Sequence, residues 1–98
     1  MSECLEIIRY RPKAGAEDAL LEERDKMLAD IRARHSGLLR AEMSKLDDNT
    51  YIDVLRWESK DHADTANADH ENIPGFVSWV QNVDEIVAFE ATEVIHAD

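Results

Sequence analysis

Tyr51-Ile52-Asp53-Val54-Leu55-Arg56-Trp57-Glu58 is the stretch whose reading decides the fold. β-branched and aromatic residues dominate it, and the turn formers Asp47, Asp48 and Asn49 precede it, so it reads as a strand entered from a tight turn. Side chains alternate between the two faces of a strand. Ile52, Val54 and Arg56 therefore share one face, and Tyr51, Asp53, Leu55 and Trp57 share the other. A carboxylate set between an aromatic, an aliphatic and an indole is costly unless it is satisfied or solvated. The Asp53–Trp57 segment is expected to wall a pocket.

Working outward, Leu38–Leu46 is a second strand, which Asp47-Asp48-Asn49 turns back into Thr50–Glu58 as a hairpin. Upstream, Cys4–Tyr10 is a first strand, ended at Arg11-Pro12 because proline holds the preceding residue extended. A helix is predicted from about Ala16 to His35, with Leu20, Met27 and Ile31 on one face. Glu17 and Asp18 in its first turn and Arg32 and Arg34 in its last complement the macrodipole. Ser36-Gly37 closes it, with Gly37 suited to a left-handed cap. Downstream, Ser59 is an N-cap for a weakly apolar helical region reaching about His70. Pro74 opens a short helix to about Val80, and Ile86–Ile95 is the last strand.

The order β-α-β-β-α-β predicts an α+β, ferredoxin-like single domain over residues 1–98: a four-stranded antiparallel sheet with helices on one side. Alternation then predicts two faces. Leu39, Ala41, Met43, Ile52, Val54, Val87, Phe89 and Ala91 form a nearly apolar face that the helices should cover. Glu6, Ile8, Arg40, Glu42, Asp53, Leu55, Trp57, Ile86, Ala88, Glu90 and Thr92 form a mixed one, suited to an interface or a ligand cavity.

The 98 residues allow one hydrophobic core, and so small a domain gains from oligomerisation. The formal net charge is -11, from 22 acidic and 11 basic residues. Such a field repels phosphate backbones and anionic lipid, so neither nucleic acid nor membrane is an expected partner. Cys4 is the sole cysteine, which excludes an internal disulfide and fits a buried thiol in a reducing compartment. With no signal-peptide pattern and no spanning apolar run, the expected location is cytoplasmic. His35, His62, His70 and His96 lack the spacing of a metal site, so no metal is expected.

The segment Arg56-Trp57-Glu58-Ser59-Lys60-Asp61-His62, followed by His70, resembles the quinol monooxygenases of the antibiotic-biosynthesis-monooxygenase family. The Pro12-to-Gly15 turn and the Ser36-Gly37-Leu38 step are also similar to that family, and the resemblance spans almost the whole chain. It implies a homodimeric α+β barrel whose two sheets face each other, each subunit keeping a pocket between sheet and helices. It implies a cofactor-independent monooxygenase: a small phenol, quinol or anthrone is deprotonated, and the resulting carbanion passes an electron to dioxygen. Trp57 is retained from the family pattern, whereas Asp53 stands where well-studied members carry Asn. An amide donates and accepts; an ionised carboxylate only accepts. Asp53 then serves as a general base, if an apolar cavity raises its pKa, or marks a member that has lost the oxygenase chemistry.

The resemblance makes Asp53, Trp57 and His70 the candidate catalytic residues, with His70 or Asp53 taking the proton; the pocket-side strand face adds Tyr51, Arg40 and Leu55 as candidate substrate contacts, and the short helix adds Trp79. Each has a plainer reading. His70 is a pocket-rim histidine or a surface hydrogen-bonding one, and Trp57 is pocket wall or core. Trp79 packs or acts as a lid; Tyr51 donates a hydrogen bond or packs. Arg40 binds a phenolate or pairs with Glu42 or Asp53. Two other functions fit the same barrel. One is a non-catalytic small-molecule-binding protein. The other is a haem-degrading monooxygenase, whose characteristic residues fall at Ile8, Asn67 and Ser78 and are missing here.

Overall fold

The computed structural model describes residues 2–98. Strand β1 (Cys4–Pro12) leads into helix α1 (Glu17–Arg34), and β2 (Leu38–Asp47) and β3 (Thr50–Trp57) form the hairpin. Helix α2 (Lys60–Ala68), a 3-10 turn over His70–Asn72, helix α3 (Pro74–Val80) and strand β4 (Val83–Glu93) complete the chain. The sheet order is β2-β3-β1-β4, with every neighbour antiparallel. This is the expected ferredoxin-like α+β arrangement.

Local chemistry explains most boundaries. The Ser59 hydroxyl accepts from the His62 amide at 3.2 Å and caps α2. That helix ends at Ala68 rather than His70, because Asp69 is drawn toward α1. Its carboxylate accepts from Arg34, faces His35 Nε2 at 2.6 Å and accepts from Asn72 Nδ2 at 2.7 Å. Strand β1 runs two residues past Tyr10, pairing Pro12 with Val83, and β4 accordingly begins before the expected Ile86. Gly37 does adopt the left-handed conformation, at φ 102°, but two residues beyond the extended cap residue His35. A Cβ there would lie 2.6 Å from the His62 ring, so Gly37 also makes room for that ring.

The face assignment needs correction. The helices cover the Asp53 face, and Ile52 and Val54 point to the sheet's uncovered side. Along β3, Tyr51, Asp53, Leu55 and Trp57 are buried, while Ile52, Val54 and Arg56 between them are half-buried. Cross-strand partners show where the expectation slipped. Ala41 pairs with Leu55 and Met43 with Asp53, while Phe89 and Ala91 pair with Ile8 and Glu6. These four therefore face the helix side of the sheet, with Phe89 exposed at its edge. Arg40, Glu42, Ala88, Glu90 and Thr92 lie on the opposite side, with Ile52 and Val54. Irregularities between Leu38 and Arg40, between Lys45 and Asp47, and between Arg9 and Tyr10 shift the phase of β2 and β4 against the central strands. Alternation within one strand carries no information about such shifts.

The core lies between this sheet face and the helices: Leu20, Met27 and Ile31 from α1 meet Tyr10, Leu55 and Trp57, with Ala63, Ala66, Ile73 and Trp79 closing the ends. Helix α3 has no side-chain cap of its own. Asp30 of α1 supplies one, accepting from the Gly75 amide at 2.8 Å. The two helices approach so closely that a Cβ on Gly75 would stand 2.9 Å from the Lys26 carbonyl and from Met27 Cα. Replacing Gly75→Ala is expected to cost about 1–3 kcal/mol of stability by urea unfolding, since the obstacle is backbone. An unchanged midpoint would mean that α3 lifts off α1 freely.

Candidate functional site

β1 and β3 pair so that Glu6, Ile8, Asp53, Leu55 and Trp57 project side by side under the helices. Met27 and Ile31 of α1, Asn67 of α2, His70 and Phe76 roof them over. The space between is a narrow, open-mouthed cavity of ≈ 70 Å³. An adjoining apolar lobe of ≈ 90 Å³ shares Ile8, Asn67, Phe76 and Trp79 and runs on to Val83, Ile86 and Phe89. A mostly apolar cleft with a few convergent polar groups is the usual form of a small-molecule site.

Two buried carboxylates face this cleft in different surroundings. Asp53, 2% exposed, accepts from Tyr10 Oη at 2.8 Å, and its other oxygen lies 2.6 Å from Arg24 Nη1. The Arg24 contact is a charge pair rather than an aligned hydrogen bond. Burial pushes the Asp53 carboxyl up, while Arg24 and the Tyr10 hydroxyl pull it down. The same burial, with Asp53 beside it, drives the Tyr10 hydroxyl well above its ordinary value, so Tyr10 remains a donor.

Glu6 is 1% exposed and has no such cation among the described residues. Trp57 Nε1 donates to Oε1 at 2.5 Å and the Asn67 side-chain amide donates to Oε2. Burial raises the Glu6 pKa against the pull of these two donors. Glu6 and Asn67 are polar groups of the site that the sequence alone does not single out. The strand alternation Cys4, Glu6, Ile8, Tyr10, with its carboxylate between apolar neighbours, is the signal that could have found the first of them.

The remaining candidates divide cleanly. Asp53, Leu55, Trp57, His70 and Trp79 all line the cleft. His70 sits at its rim, edge-on to Phe76 at 5.7 Å, with Nδ1 2.7 Å from the Asn67 carbonyl. A carbonyl only accepts, so Nδ1 carries the proton and Nε2 is the basic nitrogen of the neutral ring. Trp79 is core wall: its indole donates to the Leu20 carbonyl at 3.1 Å and meets Tyr10 edge-on at 5.2 Å. Tyr51 is buried on the correct face but stands behind Tyr10, 6.1 Å from that ring, and does not reach the cleft. Arg40 lies on the far side of the sheet, exposed and 2.7 Å from Glu42, because the β2 irregularity turns it outward. The geometry removes Tyr51 and Arg40 from the set that can contact a ligand in this cleft.

Among the described residues, no group of His, Cys, Asp and Glu is arranged to hold a metal ion, and no helix is long and apolar enough to cross a membrane. Cys4 is fully buried.

The model of the antibiotic biosynthesis monooxygenase family matches residues 5–82, and the chain belongs to that family. No curated protein sequence matches it. Among solved structures, a candidate antibiotic biosynthesis monooxygenase of Bordetella bronchiseptica is similar at TM-score 0.78 and 14% identity, over 98% of this chain and 100% of that one. SnoaB, a cofactor-independent oxygenase from Streptomyces nogalater, is similar at TM-score 0.69 and 18% identity, over 100% and 96%. A Chloroflexus aurantiacus protein described in the same family terms reaches TM-score 0.74 at 14% identity, over 99% and 97%. At these identities the likeness shows the fold.

The raised pKa of Glu6 has a consequence for stability. Its folded state binds the proton more tightly than the unfolded chain does, so this contribution is complete below the ordinary carboxylate range. It is lost as pH rises through the raised value. Glu6→Gln should therefore gain on the wild type as pH climbs from about 4 toward 8. The gain is roughly 1.4 kcal/mol for each tenfold difference in proton affinity between the folded and unfolded chain. Paired thermal melts across that range measure the difference. A difference independent of pH would show that Glu6 ionises in the fold as it does in the open chain.

Proposed function

We propose that this member of the antibiotic biosynthesis monooxygenase family is a cofactor-independent monooxygenase acting on a small, electron-rich phenol, quinol or anthrone. The observation that carries the reading is the cleft itself: an apolar slot walled by Leu55 and Trp57 on the β3 side, with two buried carboxylates at its floor. Its flat, apolar walls suit an aromatic ring, and the carboxylates suit a ring that brings hydroxyl donors. The description of SnoaB as a cofactor-independent oxygenase supports the same chemistry here.

In this scheme Trp57 and Leu55 fix the plane of the ring and Trp79 closes the inner end. Asp53, held between Arg24 and Tyr10, orients the ring's polar edge. Both its oxygens are already engaged by Tyr10 and Arg24, which suits an orienting group better than a base. Once the substrate has lost a proton, its carbanion gives an electron to dioxygen and the two radicals combine. His70, with Nε2 basic at the rim, passes protons to solvent. Tyr51 and Arg40 have no part in the scheme.

The assembly we propose is a homodimer through the uncovered sheet face. Leu5, Ile7, Ile52 and Val54 are only half-buried there although they sit mid-sheet, and no helix among the described residues covers them. An apolar patch of that kind on a 98-residue domain is better accounted for by a second copy than by solvent.

Oxygen uptake with a panel of quinols and anthrones should exceed that of Trp57→Phe by about 10- to 100-fold, the scale expected when ring positioning is lost. Equal uptake by the two proteins, or none by either, would sink the oxygenase reading. Light scattering should return twice the chain mass, and the mass should halve on combining Ile52→Lys with Val54→Lys. A wild-type monomer at micromolar concentration would refute the dimer.

A further inference from the structure

Glu6 is the charged side chain of the cleft that the fold does not account for. Withdrawing a carboxylate from water costs several kcal/mol even after relaxation. A hydrogen bond to a charged group returns only part of that cost. The Trp57 and Asn67 donors therefore bring Glu6 near break-even at best, with no cation among the described residues to complete the balance. Asp53, beside it in the same cleft, has both Arg24 and Tyr10. A buried carboxyl without a counter-charge, held by two side-chain donors and facing the cleft, points to a functional group rather than a structural one.

We infer that Glu6 is the proton acceptor of this site, taking the hydroxyl or acidic C–H proton of a neutral aromatic substrate, and that Trp57 and Asn67 are the positioning residues that aim its carboxylate. The inference rests on the reading of the cleft as an aromatic oxygenase site. In the step, the substrate O–H or C–H bond breaks, its electron pair stays on the ring, and the proton bonds to a Glu6 oxygen. The net charge of the pair is -1 before and after; it moves from carboxylate to ring. Burial brings the proton affinity of Glu6 upward, toward that of a phenol.

The same arrangement defines the substrate class. An aromatic carboxylate would bring a second negative charge against Glu6 and Asp53, with only Arg24 to offset all three. The substrate is therefore an uncharged phenol, quinol or anthrone. Asn67 also links the base to the rim, donating through its side chain to Glu6 and accepting through its carbonyl from His70. One residue thus holds both titratable groups in register.

The test uses 4-nitrophenol, whose phenol and phenolate absorb at different wavelengths, with the full-length protein and no oxygen present. Slightly below the probe's own ionisation midpoint, wild-type protein should bind it as phenolate. A protonated-carboxyl band should appear at the same time in the infrared difference spectrum. In Glu6→Gln the bound phenolate fraction should fall about tenfold, one pKa unit, and the band should vanish. The glutamine carbonyl of this variant can still accept from Trp57, and an Asn67 amide flip restores the second contact, so the variant should fold. Should it not, Asn67→Ala provides the comparison, and there too the phenolate fraction should fall. A Glu6 that remained an ionised bystander would repel phenolate, so its removal would raise the fraction. A rise, or no carboxyl band in wild type on binding, overturns the assignment of Glu6 and leaves the aromatic site standing. Failure of wild type to bind the probe at all overturns both.

Discussion

The contact between Arg24 and Asp53 fixes the distance between α1 and the sheet, and the rest of the site depends on that distance. Arg24 reaches down from the middle of α1 while Asp53 stands mid-strand beside the central strand β1, so the pair pins the long helix at its waist. In a medium of effective dielectric about 20, unit charges at contact attract by several kcal/mol, which is comparable to what their burial costs. The pair thus adds little net stability. Removing one partner is another matter, at about 3–5 kcal/mol, because it strands the other charge. What the pair supplies is placement: Leu20 and Met27, a turn to either side of Arg24 on the same helix, are set down on the strand residues that form the cleft floor.

Around that pin the helical cover is assembled from contacts between elements. Asp69 ties the end of α2 to Arg34 and His35 at the end of α1. Arg34 holds the Asp69 carboxyl far below its ordinary value, so the tie keeps its charge across the physiological range. Asp30 caps α3 from α1. Three short pieces of chain, none of which would be a stable helix alone, are thus fastened to one long helix. The rim residues Asn67 and His70 owe their positions to this fastening.

Much of this is legible in the sequence. The hairpin, the long helix and the order of elements follow from local periodicity and turn chemistry, which the chain states residue by residue. The partnership of Asp53, Leu55 and Trp57 is equally legible, since one strand carries all three. What cannot be read is the phase between strands. Simple alternation puts Arg40 and Glu42 with Asp53, but an irregularity between Leu38 and Arg40 turns them to the opposite side. Such a bulge is set by the fit of two strands, and neither strand encodes it alone. Glu6 falls on the right face by alternation, yet its significance lies in the missing counter-charge. That is a property of every neighbour at once.

Most of the cleft's apolar lining is also the core of the domain. Met27, Ile31, Leu55, Trp57, Ile73 and Trp79 form its wall and are also buried core. In a larger protein the layer that lines a cleft can be exchanged while a deeper layer carries the fold. Here the two layers largely coincide, apart from the rim at Asn67, His70 and Phe76. Enlarging the cleft for a wider ring therefore means opening a cavity in the core, and narrowing it means overpacking the same residues. The shape of the cleft can therefore change only by small, volume-conserving exchanges or through the exposed ends at Ile86 and Phe89. Divergence toward new ligands would then be limited less by chemistry than by how much stability the domain can lose.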